Sequence, residues 1–449
     1  MGKAKKEQKT LFDFEQSDVP TEEHPYSIPE NWVWKKLTEN VSVVTGKKDA
    51  NYGSVNGQYT FFTCASEPIS CDDYSFEGES LIVPGNGANV GQVSYFNGKF
   101  EAYQRTYVLQ AISPSTLLKY VYYHMLAFWR SYNADKQYGS ATNYIKIGNF
   151  TGYNIPLPPI TEQARIVSLI ESLFSRLDQA RAKAQEVIDG FELWKSAILH
   201  KAFTGRLVKQ RPEERTGEEL FREIQKEKQR LVKEGKIKKE KALPEIKEDE
   251  IPFEIPEGWK WVRLGNIISI SSGNGLTSSK MQGGDIPVYG GNGITGYHNE
   301  SFIHEETVVI GRVGFYCGSV YVTEKEAWIT DNAFITSYPK ICIERGYLVH
   351  ILRYMNLGKT NNSTAQPVVS GKTIYPLLFP LPPLSEQKRI VSQIESLFSR
   401  MEEAVDKAKT VVEQIDAIKK SILEKAFRGE LGTNDPTEES ALELLKSAE

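Results

Sequence analysis

The 449-residue chain has little sulfur, with four cysteines (Cys64, Cys71, Cys317 and Cys342) and five methionines. No two cysteines form a Cys-x-x-Cys pair, which argues against a disulfide framework or a structural zinc site and fits a reducing cytoplasm. The six histidines do not gather around the cysteines, so no metal is expected. No run of about 18 apolar residues occurs, so no membrane-crossing helix is expected. The basic start Met1–Lys6 has no apolar stretch behind it, unlike a signal peptide. Neither sign of charge dominates, with 54 Lys and Arg against 58 Asp and Glu. Gly-x-Ser-x-Gly, His-Glu-x-x-His and the Asn-Pro-Pro-aromatic tetrad of amino-methyltransferases are all missing. A catalytically silent adaptor is therefore the simpler reading, in a chain too long for a single core.

What the sequence does contain is a repeat. Leu157-Pro158-Pro159-Ile160-Thr161-Glu162-Gln163-Ala164-Arg165-Ile166-Val167 returns as Leu381-Pro382-Pro383-Leu384-Ser385-Glu386-Gln387-Lys388-Arg389-Ile390-Val391. The correspondence, at a spacing of 224 residues, runs on without insertion to Phe203 and Phe427. Paired prolines block helix before each start. Thr161 and Ser385 are then natural N-caps, with Glu162 and Glu386 in the first turn. Apolar residues follow at alternating steps of four and three. They run through Ile166, Ile170, Leu173, Leu177, Ala180, Ala184, Val187, Phe191, Trp194 and Ile198, and through Ile390, Ile394, Leu397, Met401, Ala404, Ala408, Val411, Ile415, Ile418 and Ile422. That spacing predicts two coiled-coil helices of about 60 Å at about 1.5 Å per residue. Gly205 and Gly429 lie where they would stop. Each stripe needs a partner, and the other copy is the economical one; separate bundle helices are the alternative.

Each helix is preceded by a domain rich in β-formers and turns. Ile28-Pro29-Glu30-Asn31-Trp32-Val33-Trp34 opens the first and Ile255-Pro256-Glu257-Gly258-Trp259-Lys260-Trp261 the second. Both predict a lead-in strand that buries one face. Leu117–Arg130 and Tyr347–Asn356 predict one short helix per domain. Gly85 aligns with Arg312 and Gly91 with Gly318; elsewhere between the shared ends the lengths and residues are expected to differ. The resulting division is an arm (1–24), a domain (25–156), a long helix (157–208), a charged linker (209–250), a second domain (251–380), a second long helix (381–431) and a tail (432–449). The amino-terminal residues match the linker's end, and the carboxyl-terminal residues match its beginning. The repeat is therefore cyclic. A ring-like molecule with a pseudo-two-fold axis is expected, with antiparallel helices and a globular domain at each end.

Two nucleotide-site look-alikes fail on spacing. Ser370-Gly371-Lys372-Thr373 lacks the glycine a phosphate loop needs, since position 366 is Gln366. Gly85-Asn86-Gly87-Ala88-Asn89-Val90-Gly91 lacks the dinucleotide pattern and reads as a turn in a β domain.

As a set, these features resemble the specificity subunit of Type I restriction–modification systems. The resemblance rests on the doubled Leu-Pro-Pro-x-x-Glu-Gln-x-x-Ile-Val, the doubled Ile-Pro-Glu-x-Trp, Tyr289-Gly290-Gly291-Asn292-Gly293-Ile294 and Trp328-Ile329-Thr330-Asp331-Asn332-Ala333-Phe334. It implies an α/β (α+β) fold, with two mixed α/β target-recognition domains separated by two long antiparallel coiled-coil helices. It further implies a bipartite double-stranded DNA site, two modification subunits docked on the helices, and restriction (motor and nuclease) subunits joining them. S-adenosylmethionine, ATP and magnesium would belong to those partners, and this chain would hold no cofactor and no catalytic residue.

Lys and Arg number ten against ten Asp and Glu in residues 25–156, and again in residues 251–380. Local patches rather than net charge must therefore supply DNA affinity. Candidate DNA-contacting residues are Lys47, Lys48, Asn51, Tyr52, Gln104, Arg105, Asn143, Tyr144 and Lys146 in the first domain. In the second they are Lys280, Asn292, Arg312, Tyr316, Asn332, Asn361, Asn362 and Lys372. Arg and Lys suit guanine edges and phosphates, while Asn and Gln suit adenine. Each could equally be a solvated loop residue, and Asn292 a turn former. Two other functions stay open: a single-chain methyltransferase or nuclease with an unrecognised site, and a coiled-coil scaffold with two heads that bind something other than DNA.

Overall fold

The structure is a computed structural model that describes residues 19, 20, 22, 24–139, 142–235, 242–360 and 367–443. It divides into two compact units, residues 1–185 with 409–449, and residues 186–408. Each unit holds one globular domain and a part of each long helix.

The long helices are Ile160–Phe203 and Leu384–Ala426, of 44 and 43 residues. Each begins two residues earlier than the Thr161 and Ser385 caps predict. The amide of Gln163 bonds to the carbonyl of Pro159, and that of Gln387 to that of Pro383, so the second proline of each pair is the cap. Its own missing N–H costs nothing there. Thr161 is freed to donate to Glu438 Oε1 at 3.2 Å. The helix ends follow prediction. Gly205 and Gly429 have φ of +72° and +75°. Arg206 and Glu430 bond back to the carbonyls of Lys201 and Lys425, a Schellman closure.

In each unit the two helix segments run antiparallel. In the first, Asp178 pairs with Lys419 and Arg181 with Asp416; in the second, Lys195 lies 5.3 Å from the Phe398 ring. The seam departs from the expected heptads in the second helix. Val411 and Ile418 are exposed, while Val405, Ala408 and Ile415 are buried. Two successive steps of four, Leu397 to Met401 to Val405, shift the stripe. Such a stutter lets a 3.6-residue helix regain its partner without supercoiling further. Trp194, placed in the first helix's seam by the heptad count, is also exposed.

The first domain carries a six-stranded sheet in the order Val41–Thr45, Thr106–Ala111, Phe76–Pro84, Ser94–Ala102, Tyr59–Phe62, Ile69–Cys71. The second has a four-stranded sheet in the order Ser269–Ser272, Ala333–Ser337, Val308–Gly311, Val320–Val322, and a three-stranded one from Gly293–His298, Ile286–Gly290 and Trp328–Ile329. The helices Leu118–Tyr132 and Arg345–Tyr354 back them.

Contrary to the expected divergence in length, one spacing of 227 residues holds from Trp32 and Trp259 to Tyr120 and Tyr347. Phe61 pairs in parallel with Glu101 as Val288 does with Trp328. Leu81 pairs with Leu109 as Val308 does with Thr336. Side chains change but register does not, because a one-residue slip would turn each strand's buried face outward. The lead-in strands Val33–Lys36 and Lys260–Arg263 pair with Asn154–Leu157 and Leu378–Leu381. The first is buried on both faces, Trp32, Val33 and Trp34 alike, rather than on one.

The stretch read as a charged linker contains a 17-residue helix, Gly217–Lys233, capped by a Thr216 and Glu219 box. Its Leu220 and Ile224 are buried in the core of the second unit. Among the described residues no helix is long and apolar enough to cross a membrane.

Candidate nucleic-acid interface

The doubled motif builds a clamp where each long helix leaves its domain. Trp32 Nε1 donates to Glu162 Oε2 at 2.8 Å, and Trp259 Nε1 to Glu386 Oε2 at 3.0 Å. Gln163 Oε1 accepts from the Leu117 amide at the start of the domain helix, as Gln387 Oε1 accepts from Glu344 at 2.9 Å. Tyr120 and Tyr347 donate to the carbonyls of Pro156 and Pro380. Arg165 grips Glu438 with both nitrogens at 2.8 Å, and Arg389 likewise grips Glu214. The carboxyl-terminal segment thus completes the first unit as the segment after the first helix completes the second. Burial holds the Glu162 and Glu386 carboxyls above their ordinary range, with the tryptophan bonds pulling the other way. His124 is fully buried and held down to about 3 by desolvation, so it stays neutral between Tyr26 and Tyr153 as packing.

Anchored at that clamp, each domain turns a set of loops outward, and backbone bonds tie those loops together. In the first domain the Gln104 amide bonds to Lys48 O, Gly85 to Arg105 O, Ile145 to Gly85 O and Gly87 to Asn143 O. All nine candidates of this domain therefore lie on one continuous rim. Lys48 Nζ sits 4.0 Å from the Tyr52 ring, and Tyr52 donates to Asp73 at 2.9 Å. The Tyr52 hydroxyl beside it holds the Lys48 ammonium above its usual range. Gln104 Nε2 is engaged by Asp49. Lys146 Nζ lies 4.2 Å from Tyr138, which stacks on Tyr144.

The second domain repeats this frame. Gly273 bonds to Ala333 O as Gly46 does to Thr106 O, and Val369 to Arg312 O as Ile145 does to Gly85 O. Arg312 stands where the first domain has Gly85, whose missing Cβ would lie 2.3 Å from Arg105 O. It lies 5.4 Å from the Phe334 ring and reaches Ser272 Oγ and Asp331 O at 3.4 Å. Its amide is bonded to Asn332 O. Tyr316 is exposed on the same loop, and Lys372 lies in the short helix Gly371–Ile374. Asn292 forms a two-residue hairpin loop with Gly291, and its Oδ1 accepts from Tyr321, as suits a turn former. Lys280 is exposed on the turn that matches Asn51–Gly53 of the first domain. Asn361 and Asn362 lie outside the described residues. Ser370 and Thr373, suggestive of a phosphate loop, cap a four-residue helix.

The rim offers amides, guanidinium and ammonium groups, and rings. Among the described residues no cluster of three or more His, Cys, Asp or Glu could hold a metal ion. Ala88, Asn89 and Phe315 also sit on these loops, outside the set that the sequence pointed to. The signal for them was present as Gly87-x-x-x-Gly91 and Gly314-x-x-x-Gly318, at the same spacing of 227.

The family described as the Type I restriction modification DNA specificity domain matches this chain twice, over residues 29–188 and 256–413. The chain belongs to that family. Each specificity-domain match covers one domain and part of the following long helix. Among curated relatives, the Type I restriction enzyme EcoDI specificity subunit of Escherichia coli is 25% identical over 423 residues, spanning 90% of this chain and 89% of its own. The MjaVIII specificity subunit of Methanocaldococcus jannaschii is 21% identical, spanning 94% and 98%. In fold, the HsdS subunit from Thermoanaerobacter tengcongensis superposes with a TM-score of 0.61 at 18% identity, covering 91% of this chain and 99% of that one. A chain solved to explain complex assembly and conformational transition of the type I R-M system gives 0.57 at 19% identity, covering 91% and 100%.

Proposed function

We propose that this chain is the DNA-specificity subunit of a Type I restriction–modification complex and performs no chemistry of its own. Residues 25–156 and 251–380 act as target-recognition domains, each reading one half of a split duplex site. The observation that carries this reading is one loop frame built twice on the same backbone bonds, with different side chains on each rim. A single enzyme active site would have no use for two such rims, whereas a bipartite site requires them. The candidate residues of each rim supply the contacts: Lys48, Arg105, Lys146 and Arg312 for phosphates and guanine edges, Gln104, Asn143 and Asn332 for adenine.

The partners of this chain are two modification subunits seated on the long helices, with restriction subunits joining them in the cytoplasm. S-adenosylmethionine, ATP and magnesium are bound by those partners, and the modification subunit rotates the target adenine out of the duplex. With ten charges of each sign per domain, the isolated chain is expected to bind DNA weakly and to need its partners for affinity. Exchange of residues 25–156 for a homologous domain tests the reading. Methylation-aware sequencing should show one half of the modified motif changed and the other kept; an unchanged motif refutes it. Methylation or cleavage by the purified chain alone would favour a single-chain enzyme.

A further inference from the structure

The loop joining Gly311 to Gly318 has the same backbone as the loop joining Pro84 to Gly91. Gly314 bonds to Pro367 O as Gly87 does to Asn143 O, Cys317 to Gly314 O as Val90 does to Gly87 O, and Ser319 to Tyr316 O as Gln92 does to Asn89 O. Val313 bridges Val368 as Asn86 bridges Tyr144. The glycines at the bends are left-handed in both domains, Gly87 and Gly314 at +84° and +93°, Gly91 and Gly318 at +93° and +85°. A Cβ on Gly318 would lie 2.2 Å from Gly358 N, so the loop's base is packed tight. One on Gly87 or Gly314 would meet nothing within 4 Å, so the space over the tip is open. The loop is therefore rigid at its root and bare at its crown.

The two crowns differ in chemistry. In the first domain the tip is Ala88 and Asn89, and Asn89 is turned inward, donating to Cys64 O at 2.8 Å and accepting from Gln92. In the second domain the tip is Phe315 and Tyr316, 87% and 51% exposed, with their rings edge to face at 5.0 Å. Arg353 and Lys359 line the hollow beside these rings. A phenyl ring has no donor or acceptor, so it cannot read a base edge by hydrogen bonding. It can lie against a base face or wedge a base step, which is how apolar side chains unstack and bend a duplex. Cations flanking an apolar tip suit the phosphates on either side of such a step.

We propose that Phe315 is a base-contacting wedge of the second domain, and that the Ala88 counterpart makes the first domain's loop a plain spacer. Resting on the specificity-subunit reading, this names one residue and one mode by which the two domains read their half-sites differently. The test uses the complex of the full chain with its modification subunit and a duplex bearing its methylated motif. Anisotropy titrations at several salt concentrations compare the wild type with Phe315→Ala and Phe315→Trp.

Phe315→Ala should weaken specific binding about tenfold or more, without altering binding to unrelated duplex. The salt slope should not change, because no phosphate contact is removed. Phe315→Trp should keep most of the affinity, and methylation-aware sequencing should show relaxation only in the half-site read by the second domain. The melting temperature of Phe315→Ala should match the wild type, since the ring is exposed. Specific affinity within twofold of the wild type and an unchanged motif would overturn the proposal, as would equal loss in both variants. Unchanged DNA binding with weakened subunit assembly would make the tip a protein contact and also overturn it. Failure of the wild-type complex to bind any duplex would instead sink the specificity-subunit reading, and the wedge with it.

Discussion

The clamp at the root of each long helix and the loop rim of each domain have been treated in opposite ways by the same duplication. At the clamp, partner matches partner: Trp32 and Trp259, Glu162 and Glu386, Gln163 and Gln387, Arg165 and Arg389, Tyr120 and Tyr347. At the rim, only backbone bonds are shared. The difference is one of what holds the geometry. A buried carboxylate that accepts an indole N–H cannot give way to an apolar residue without leaving a polar group unpaired. A loop fixed by its own amides and by glycines at positive φ places no demand on the side chains it displays. Constancy therefore marks where side chains hold the frame, and variation marks where the frame holds side chains.

The largest test of that comparison lies in the two phenylalanines at the carboxyl ends of the long helices, Phe203 as the last residue of the first and Phe427 just after the second. Phe203 and Phe427 are both fully buried. Phe203→Ala and Phe427→Ala should each cost about 3–5 kcal/mol in denaturant unfolding. Similar losses would sharpen the equivalence of the two clamps, and a loss at one site alone would break it. Next come Gly205→Ala and Gly429→Ala. Each forces a left-handed residue, at about 1–2 kcal/mol, and drives a Cβ to 2.3 or 2.4 Å from Pro256 or Pro29. Both should lower the melting temperature, whereas Gly235→Ala, also left-handed but with open space around it, should lose only the conformational part.

Smaller again is the loss of Glu214 or Glu438, whose paired arginines hold both carboxyls below their ordinary range. These pairs are partly exposed, so Glu214→Ala and Glu438→Ala should cost about 1 kcal/mol or less. Because the folded carboxyls titrate below the ordinary 4.5, the contribution is present at neutral pH and disappears as pH falls below that value. The wild-type and variant melting curves should therefore converge in acid.

The smallest effect runs the other way. Burial raises the Glu162 and Glu386 carboxyls, so the folded chain takes up their protons first as pH falls. Their contribution favours folding more at the acid end of the window just above 4.5 and less as pH rises through it. Glu162→Gln should flatten that slope in melting temperature measured between acid and neutral pH. A slope identical to the wild type would show that the carboxyl is not held as described.

Much of this was readable in the residues. The two long helices, their glycine stops and their pairing followed from proline pairs, apolar spacing and the repeat, because a helix's start, end and buried stripe are local properties of sequence. The rim was partly readable: Lys48, Gln104, Arg105, Asn143 and Lys146 fall on one surface, and Arg312 with Asn332 on its counterpart. Phe315 was not legible, because a phenyl ring carries neither charge nor hydrogen-bonding group and only the fold sets its exposure. The helix Gly217–Lys233 was missed although Thr216 and Glu219 announced it, since its charged face outweighed the short apolar one of Leu220 and Ile224. The stripe of the second helix drifted from the heptad count because Val405 and Ala404 are both apolar, and only packing against a partner chooses between them.

By itself the sequence determined that the chain is one plan used twice, since sixteen of twenty residues opening the long helices coincide at a fixed spacing. Tertiary structure decided what those residues are for. Glu162 and Gln163 could have been a helix cap, a metal ligand or a surface pair. They become a clamp only when Trp32, 130 positions away, and Leu117 arrive beside them. The same holds for the rims, where residues from loops near 48, 85, 105 and 145 meet through backbone bonds. Composition and spacing record what each segment can do alone, and long-range bonds settle which of those abilities is used.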